Sequence, residues 1–233
     1  MHSDKRLVEP FVGGLAVSLG LGPKNALLND VNEHLINFYK WIQVGLIIEL
    51  DFENSPEYYY SARGRFNALI KSGGAASKES AELFYYLNRT GYNGLCRFNR
   101  GGLFNVPYGR YKRINYVSDF LDLQPVIQDW KFTASDYSEI EIEQGDMVYA
   151  DPPYDVEFTA YSKSPFGWND QVELAKWLAN LRVPVIASNQ ATQRILDLYA
   201  SLGFEVNTLS APRRISCNGD RTPAFEMLAT LRL

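Results

Sequence analysis

At 233 residues, 46% of them hydrophobic and 21% charged, the chain suits one domain with an insertion, or two small domains, and has ample apolar side chains for a core. No run approaches the ~20 apolar residues of a membrane span, and MHSDKRLVEPF at the start lacks a secretory apolar stretch, so the protein reads as cytoplasmic. Two cysteines without CxxC spacing and only two histidines exclude a disulfide framework and a metal centre, and the net charge of −4 taken alone argues against nucleic acid.

In chain order, LVEPF (7–11) reads as a strand, AVSLGL opens a helix, ALLND (26–30) is a second strand, and VNEHLINFYKWIQVGL carries apolar residues at helical spacing. Residues 55–113 break this rhythm: PEYYYSARGRFNALIKS and SKESAELFYYLNRT read as two helices, and a basic loop rich in glycine and asparagine follows. From Arg89 to Arg113 there are six Lys/Arg, no acid and five aromatic rings, a local patch that neutralises phosphates while the rest of the protein stays acidic. Beyond it WKFTAS (130–135), DMVYA (146–150), VPVIAS (183–188), FEVNTL (204–209) and FEMLATLRL (225–233) read as strands, with helices near 169–181 and 192–202. The alternation predicts an α/β fold, a mostly parallel sheet covered by helices on both sides, with ligands at the carboxyl ends of its strands. Residues 1–54 and 114–233 form the expected sheet domain, and 55–113 a mainly helical insertion. Tyr58, Tyr59, Tyr60 and Phe66, like Trp168 and Trp177, read as packing.

Acids fall at three predicted strand ends, Glu9, Asp30 and Asp151, and Asp136 follows FTAS. EPFVGGLA gives a tight turn after the first strand, in which Gly13 and Gly14 let backbone approach a ligand. Asp30 stands where Rossmann-like sheets set an acid against ribose hydroxyls, though Asp30 or Asn32 in NDVNE also suits a helix cap. In VYADPPYDV a buried strand stops abruptly at Asp151; Pro152 ends the ladder, and Pro153 fixes a turn that aims its own carbonyl and the ring of Tyr154 outward. Asp-Pro is ordinary turn chemistry, which explains the prolines but not the whole set. Carboxylate, fixed carbonyl and flat ring together suit an exocyclic amine on a planar heterocycle. Two acceptors for the amine's hydrogens pull a poorly nucleophilic nitrogen toward a tetrahedral arrangement and free its lone pair. In duplex DNA such a base has to be flipped out.

DPPY after an apolar strand, EPFVGG, and LNRTGYNGLCRFNRGGLFNVPYGRYKR in the insertion resemble the DNA adenine methylase (Dam) family, the D12 or alpha group of N6-adenine DNA methyltransferases. The resemblance implies a Rossmann-like class I methyltransferase sheet, an inserted target-recognition domain carrying a basic loop or hairpin, and direct transfer from S-adenosylmethionine to adenine N6 without metal. By position it makes Asp151, Pro152, Pro153 and Tyr154 the catalytic motif and puts Glu9, Phe11 and Gly13 on the methionine side of the cofactor. Asp30 would take the ribose, and Asp136 with Tyr137 the adenine edge, with Asp151 also bordering the cofactor. Tyr92, Asn93, Leu95, Arg97, Asn99, Asn105, Pro107, Arg110 and Lys112 fall where family members contact double-stranded DNA, often at GATC, and Arg63 at a backbone contact. Arginine suits guanine, asparagine suits adenine, and an apolar or aromatic wedge unstacks a step.

Two departures stand out: six residues precede Leu7 where relatives carry a longer cofactor-holding segment, and Leu15 stands where a third glycine is frequent. Other readings therefore stay open: a methyltransferase for another amine, such as cytosine N4 or an RNA base, or a DNA-binding protein on this scaffold without cofactor binding. Phe158 and Tyr161 either line a flipped-base pocket or pack, and Arg213 and Arg214 either meet phosphate or face solvent.

Overall fold

A computed structural model describes residues 5–155, 166–211 and 224–233. The chain divides into two compact units, Met1–Val31 with Ser135–Leu233, and Asn32–Ala134. The first unit begins with β1 (Leu7–Glu9), α1 (Ala16–Leu21) and β2 (Ala26–Asn29). The second holds α2 (Glu33–Gln43), α3 (Pro56–Ser72), α4 (Lys78–Thr90), the short α5 (Gln124–Ile127) and β3 (Lys131–Thr133). The chain then returns to the first unit through β4 (Met147–Ala150), α6 (Trp168–Asn180), β5 (Val185–Gln190), α7 (Gln193–Ser201), β6 (Glu205–Ala211) and β7 (Ala224–Leu231).

The strands of the first unit run in the order β2-β1-β4-β5-β7-β6. The first four are parallel, and β7 lies antiparallel to both β5 and β6. Between β1 and β4 the order changes direction, which makes their carboxyl ends the crevice where sheets of this kind take ligands. The central strands are apolar on both faces, as burial under helices requires: Val8, Val148, Ala150, Val185 and Ala187 are fully buried. Over them α6 lays the stripe Gln171, Leu174, Ala175, Leu178, spaced as one face of a helix, and α7 adds Ile195 and Tyr199. Trp168 and Trp177 pack against this core while half-buried.

Among the described residues the strands and helices follow the hydrophobic rhythm, with ends shifted by a few residues. Pro10 explains the first shift, since without an N–H it cannot extend β1. The compact second unit is wider than the expected 55–113 span. Its α2 turns aromatic side chains toward α4 and the segment after it, Phe38 stacking on Tyr85 at 5.1 Å and meeting Phe120 edge-on at 5.4 Å. Those contacts attach α2 and residues 114–134 to the helical unit. Of the tyrosine cluster, Tyr59 and Phe66 are fully buried as expected, whereas Tyr60 is 46% exposed, because neighbouring helical positions point about 100° apart. No helix among the described residues is long and apolar enough to cross a membrane.

The entry of β1 is tied to the entry of β4 by a two-pronged ion pair. Arg6 donates Nε to Oδ1 of Asp146 at 2.9 Å and a terminal nitrogen to Oδ2 at 2.7 Å, and Asp146 is 2% exposed. The same carboxylate accepts the Glu143 N–H at 2.7 Å. Asp146→Ala strips both partners and is expected to cost about 2–3 kcal/mol in urea unfolding. A loss below about 0.5 kcal/mol would reduce the pair to an ordinary surface contact.

Candidate active site

A cavity of about 590 Å³ opens at the carboxyl ends of β1, β2 and β4. Leaving β1, the chain turns through Gly13, at φ +46°, and Leu15, at φ +61°, before α1. A left-handed leucine costs about 1–2 kcal/mol, which burial of its side chain to 2% exposure offsets. Asn29, fully buried, secures the cavity from beneath: its amide donates to the carbonyls of Pro10 and Ser135 at 3.1 and 2.9 Å, and its oxygen accepts the Ser135 N–H at 3.1 Å. Phe11 forms an aromatic wall with Tyr137 at 5.5 Å and Phe166 at 5.9 Å. Acids face the same space, each already engaged: Asp30 accepts the Gly13 N–H at 3.2 Å, Asp136 accepts from Ser138 N–H and Oγ at 2.9 and 2.6 Å, and Asp170 accepts the Gly167 N–H at 2.7 Å.

Asp151, Pro152 and Pro153 complete the lining where β4 ends. This turn is held by neighbours from three elements. From β5, the Ser188 hydroxyl donates to Asp151 Oδ1 at 2.6 Å and itself accepts from Tyr149 at 3.3 Å. From α6, Gln171 Nε2 donates to the carbonyl of Pro153 at 2.7 Å. Asn189 Oδ1 accepts the Asp155 N–H at 3.0 Å. Asp155, 6% exposed, is gripped by Thr192 Oγ1 at 3.0 Å and by the Arg194 guanidinium, which lies 4.7 Å over the Trp168 ring. Tyr154 departs from expectation: it is half-buried, does not line the cavity, and its hydroxyl lies 3.5 Å from Glu226 of β7. Burial and the acids Asp151 and Glu226 hold its phenol well above the ordinary range, so it stays protonated.

The residues expected at DNA lie in the second unit. An antiparallel bridge pairs Phe98 with Phe104, and both rings turn inward, Phe98 stacking on His34 at 5.0 Å and Phe104 meeting Phe66 at 6.1 Å. Arg97 stays exposed and is held by Asn105, Nε to Oδ1 at 2.8 Å. Asn99 commits its oxygen to the turn, accepting from Gly101 and Leu103 N–H at 2.9 and 3.0 Å. Tyr92 and Leu95 are exposed at 49% and 41%, and Asn93 and Arg110 have left-handed backbones. Arg63 bonds the Val106 carbonyl at 3.0 Å and lies 4.8 Å over Tyr60. Pro107 and Arg110 line a second hollow with Tyr60 and Tyr108, and Lys112 is exposed. The hairpin base closes tightly on α4: a Cβ on Gly91 would stand 2.6 Å from the Leu87 carbonyl, and one on Gly109 2.9 Å from those of Thr90 and Gly91.

The cavity thus gathers Phe11, Gly13, Asp30, Asp136, Tyr137 and Asp151, with Glu9 buried behind it rather than in its lining. Asn32, not Asp30, caps α2, accepting from His34 and Leu35 N–H. Sequence reasoning missed Phe166 and Asp170, which line the cavity, and Asn29, Ser188, Asn189 and Gln171, which brace it. A signal existed for Gln171, a polar residue on the apolar stripe of its helix. Phe158, Tyr161, Arg213 and Arg214 lie outside the described residues.

Over residues 1–215 the chain matches the profile of the family described as D12 class N6 adenine-specific DNA methyltransferase. The DNA N-6-adenine-methyltransferase of Escherichia phage P1 is 36% identical over 254 residues, covering 99% of this chain and 33% of that protein, so the chain spans about a third of that relative's length. The retron Ec67 DNA adenine methylase of Escherichia coli is 35% identical over 98% of this chain and 84% of its own length. The type II methyltransferase M.MjaIII of Methanocaldococcus jannaschii is 34% identical, with 93% of this chain and 84% of its own covered.

Glu9 is an acid buried beside the cavity. Burial raises its pKa from 4.5 to about 7, opposed by the Ser18 hydroxyl, which donates to Oε1, and assisted by the nearby charge of Asp151. The folded protein therefore keeps a proton that the unfolded chain releases between those values, so stability falls as pH rises through that window, by about 3 kcal/mol in all. Glu9→Gln is expected to flatten this slope in urea unfolding between pH 5 and 8. A variant slope equal to the parent's would assign the pH dependence to other groups.

Proposed function

The chain belongs to the D12 class of N6 adenine-specific DNA methyltransferases, and on that premise we propose that it moves a methyl group from S-adenosylmethionine to adenine N6 at GATC in double-stranded DNA, on a base turned out of the helix. The observation that carries the reading is the braced turn: Asp151, Pro152 and Pro153 line a cavity of about 590 Å³, and the Asp151 carboxylate and the Pro153 carbonyl are held by Ser188 and Gln171. That volume falls in the range of small-molecule sites. Its lining also fits a cationic nucleoside: Phe11 and Phe166 offer apolar faces, Gly13 a stretch of backbone open to a ligand, and Asp30 and Asp136 acceptors for hydroxyls and an amine edge.

When bound, S-adenosylmethionine supplies an electrophilic methyl on a sulfonium. Phe11, Gly13, Asp30, Asp136 and Tyr137 hold and orient it, and Glu9 adds a buried acid behind it. Asp151 and a backbone carbonyl of the turn each accept one hydrogen of the adenine amine, so the nitrogen lone pair leaves conjugation with the ring and forms the new bond to carbon. Asp151, already accepting a hydrogen bond from the amine, would take that proton as the nitrogen becomes cationic. Two rigid acceptors act without reorganising, which is where several kcal/mol of such a barrier is saved. Turning the base out costs a few kcal/mol. The exposed hairpin of the second unit, with Arg97 and Asn105 as readers and Tyr92 or Leu95 as a wedge, supplies contacts that offset it. A cytoplasmic setting in a bacterial or phage-infected cell goes with this reading.

Asp151→Ala is expected to lower methylation of a GATC duplex by at least about 100-fold while leaving duplex binding intact, with N6-methyladenine measured by mass spectrometry. Substantial turnover in that variant would sink the mechanism, and a parent protein that binds duplex but transfers nothing would sink the activity. Arg97→Ala should cost about 1–3 kcal/mol of discrimination between GATC and duplexes with a changed guanine. Equal weakening on every sequence would instead make Arg97 a phosphate contact.

A further inference from the structure

Where β4 ends, β5 runs on beside it. The two strands pair in parallel with Ala150 opposite Ala187, so the next residue of each, Asp151 and Ser188, stand side by side. Ser188 is 5% exposed and carries a single hydroxyl hydrogen. Its oxygen accepts from Tyr149 at 3.3 Å and faces the Ala150 carbonyl at 3.4 Å and Asp151 Oδ1 at 2.6 Å. Burial raises the Tyr149 phenol above its ordinary range, so the phenol keeps its proton and is the donor of that pair. The serine hydrogen is left for the nearer of the two remaining acceptors, and 3.4 Å is long for a hydroxyl while 2.6 Å is short. The Tyr154 hydroxyl also reaches Ser188 and Asp151, from the side of Glu226 on β7 rather than from the cavity.

We propose that Ser188 is a positioning residue for methyl transfer: by holding one oxygen of Asp151 it reserves the other for the adenine amine. The last torsion of an aspartate is broad, so a carboxylate turns freely unless something holds it. Asp151 is exposed and lines the cavity, so packing alone does not set that rotation, and the bond from β5 does. This rests on the proposed methyl transfer and adds to it the group that keeps its acid in line. The core does not ask for a hydroxyl here, since alanine fills the same space less one oxygen and the buried neighbours on β5, Val185 and Ala187, are apolar.

The test uses the full chain, S-adenosylmethionine and a GATC duplex under single-turnover conditions. Ser188→Ala removes the donor and little else. Its methyl-transfer rate is expected to fall about 10- to 100-fold, with the affinities for duplex and for S-adenosylmethionine unchanged. The second readout puts the same change into Asp151→Asn. There the serine holds the amide oxygen and turns the NH2 group, a donor, against the adenine amine. Without the serine the amide is free to turn its oxygen to the amine, so adding Ser188→Ala should not slow the Asp151→Asn variant further and should speed it. A merely structural serine would slow both proteins alike. A parent-like rate in Ser188→Ala, a loss that lies in affinity rather than in rate, or equal slowing in both backgrounds would overturn the proposal. Absence of transfer by the parent protein itself would fail the underlying reaction instead.

Discussion

Everything at the cavity depends on two parallel strands leaving the sheet side by side. β1 and β4 pair in register, Leu7 opposite Met147 and Val8 opposite Val148. Adjacent strands lie about 4.8 Å apart, so whatever follows them emerges together. The glycine turn and the acid-proline turn are far apart in sequence, yet the ladder delivers both to one edge, and the Arg6–Asp146 pair holds the same register from the opposite end of these strands. Proline closes each ladder, at Pro10 and at Pro152, so the two turns begin where hydrogen bonding stops.

Around that edge the protein keeps polar groups inside but leaves few unanswered. Asn29, Gln171, Ser188 and Asn189 are each buried and each bonded to backbone or to one another, which makes them stiff braces rather than penalties. Glu9 is the exception that stays under tension, since the Ser18 hydroxyl only partly offsets the loss of water. The acids that face the cavity are already fastened to nearby N–H groups, so they meet an incoming molecule in a set orientation and with little entropy left to lose.

Much of this was legible in the sequence, for a physical reason. Strands buried on both faces show as short apolar runs, and helices covering them as periodic stripes, so α3 and α4 could be placed almost residue for residue. Asp151, Asp30 and Asp136 were singled out because strand ends carry the chemistry of such sheets, and Phe11 through the family resemblance; all four line the cavity. What escaped were residues whose partners are remote: Gln171 meets Pro153 and Asn189 only after folding, and Phe166 joins the wall through a contact with Phe11. The reach of the second unit was also underestimated, since an amphipathic α2 does not announce which neighbour its aromatic face will cover. Tyr154 was given an outward ring from the stiffness of the prolines alone, whereas Glu226 on a distant strand draws its hydroxyl the other way.

The hairpin of the second unit divides its labour between alternate residues. Phe98 and Phe104 anchor it, Asn67 clamps the Phe104 backbone by bonds of 2.8 and 3.0 Å, and Asn99 shapes the bend, while Arg97 and Asn105 look outward. Because anchoring and display use opposite sides of the ribbon, mutational drift on the outer side leaves the inner side untouched. A lineage built this way is free to change its molecular vocabulary by substitution at a pair of positions, without first having to survive a weakened fold.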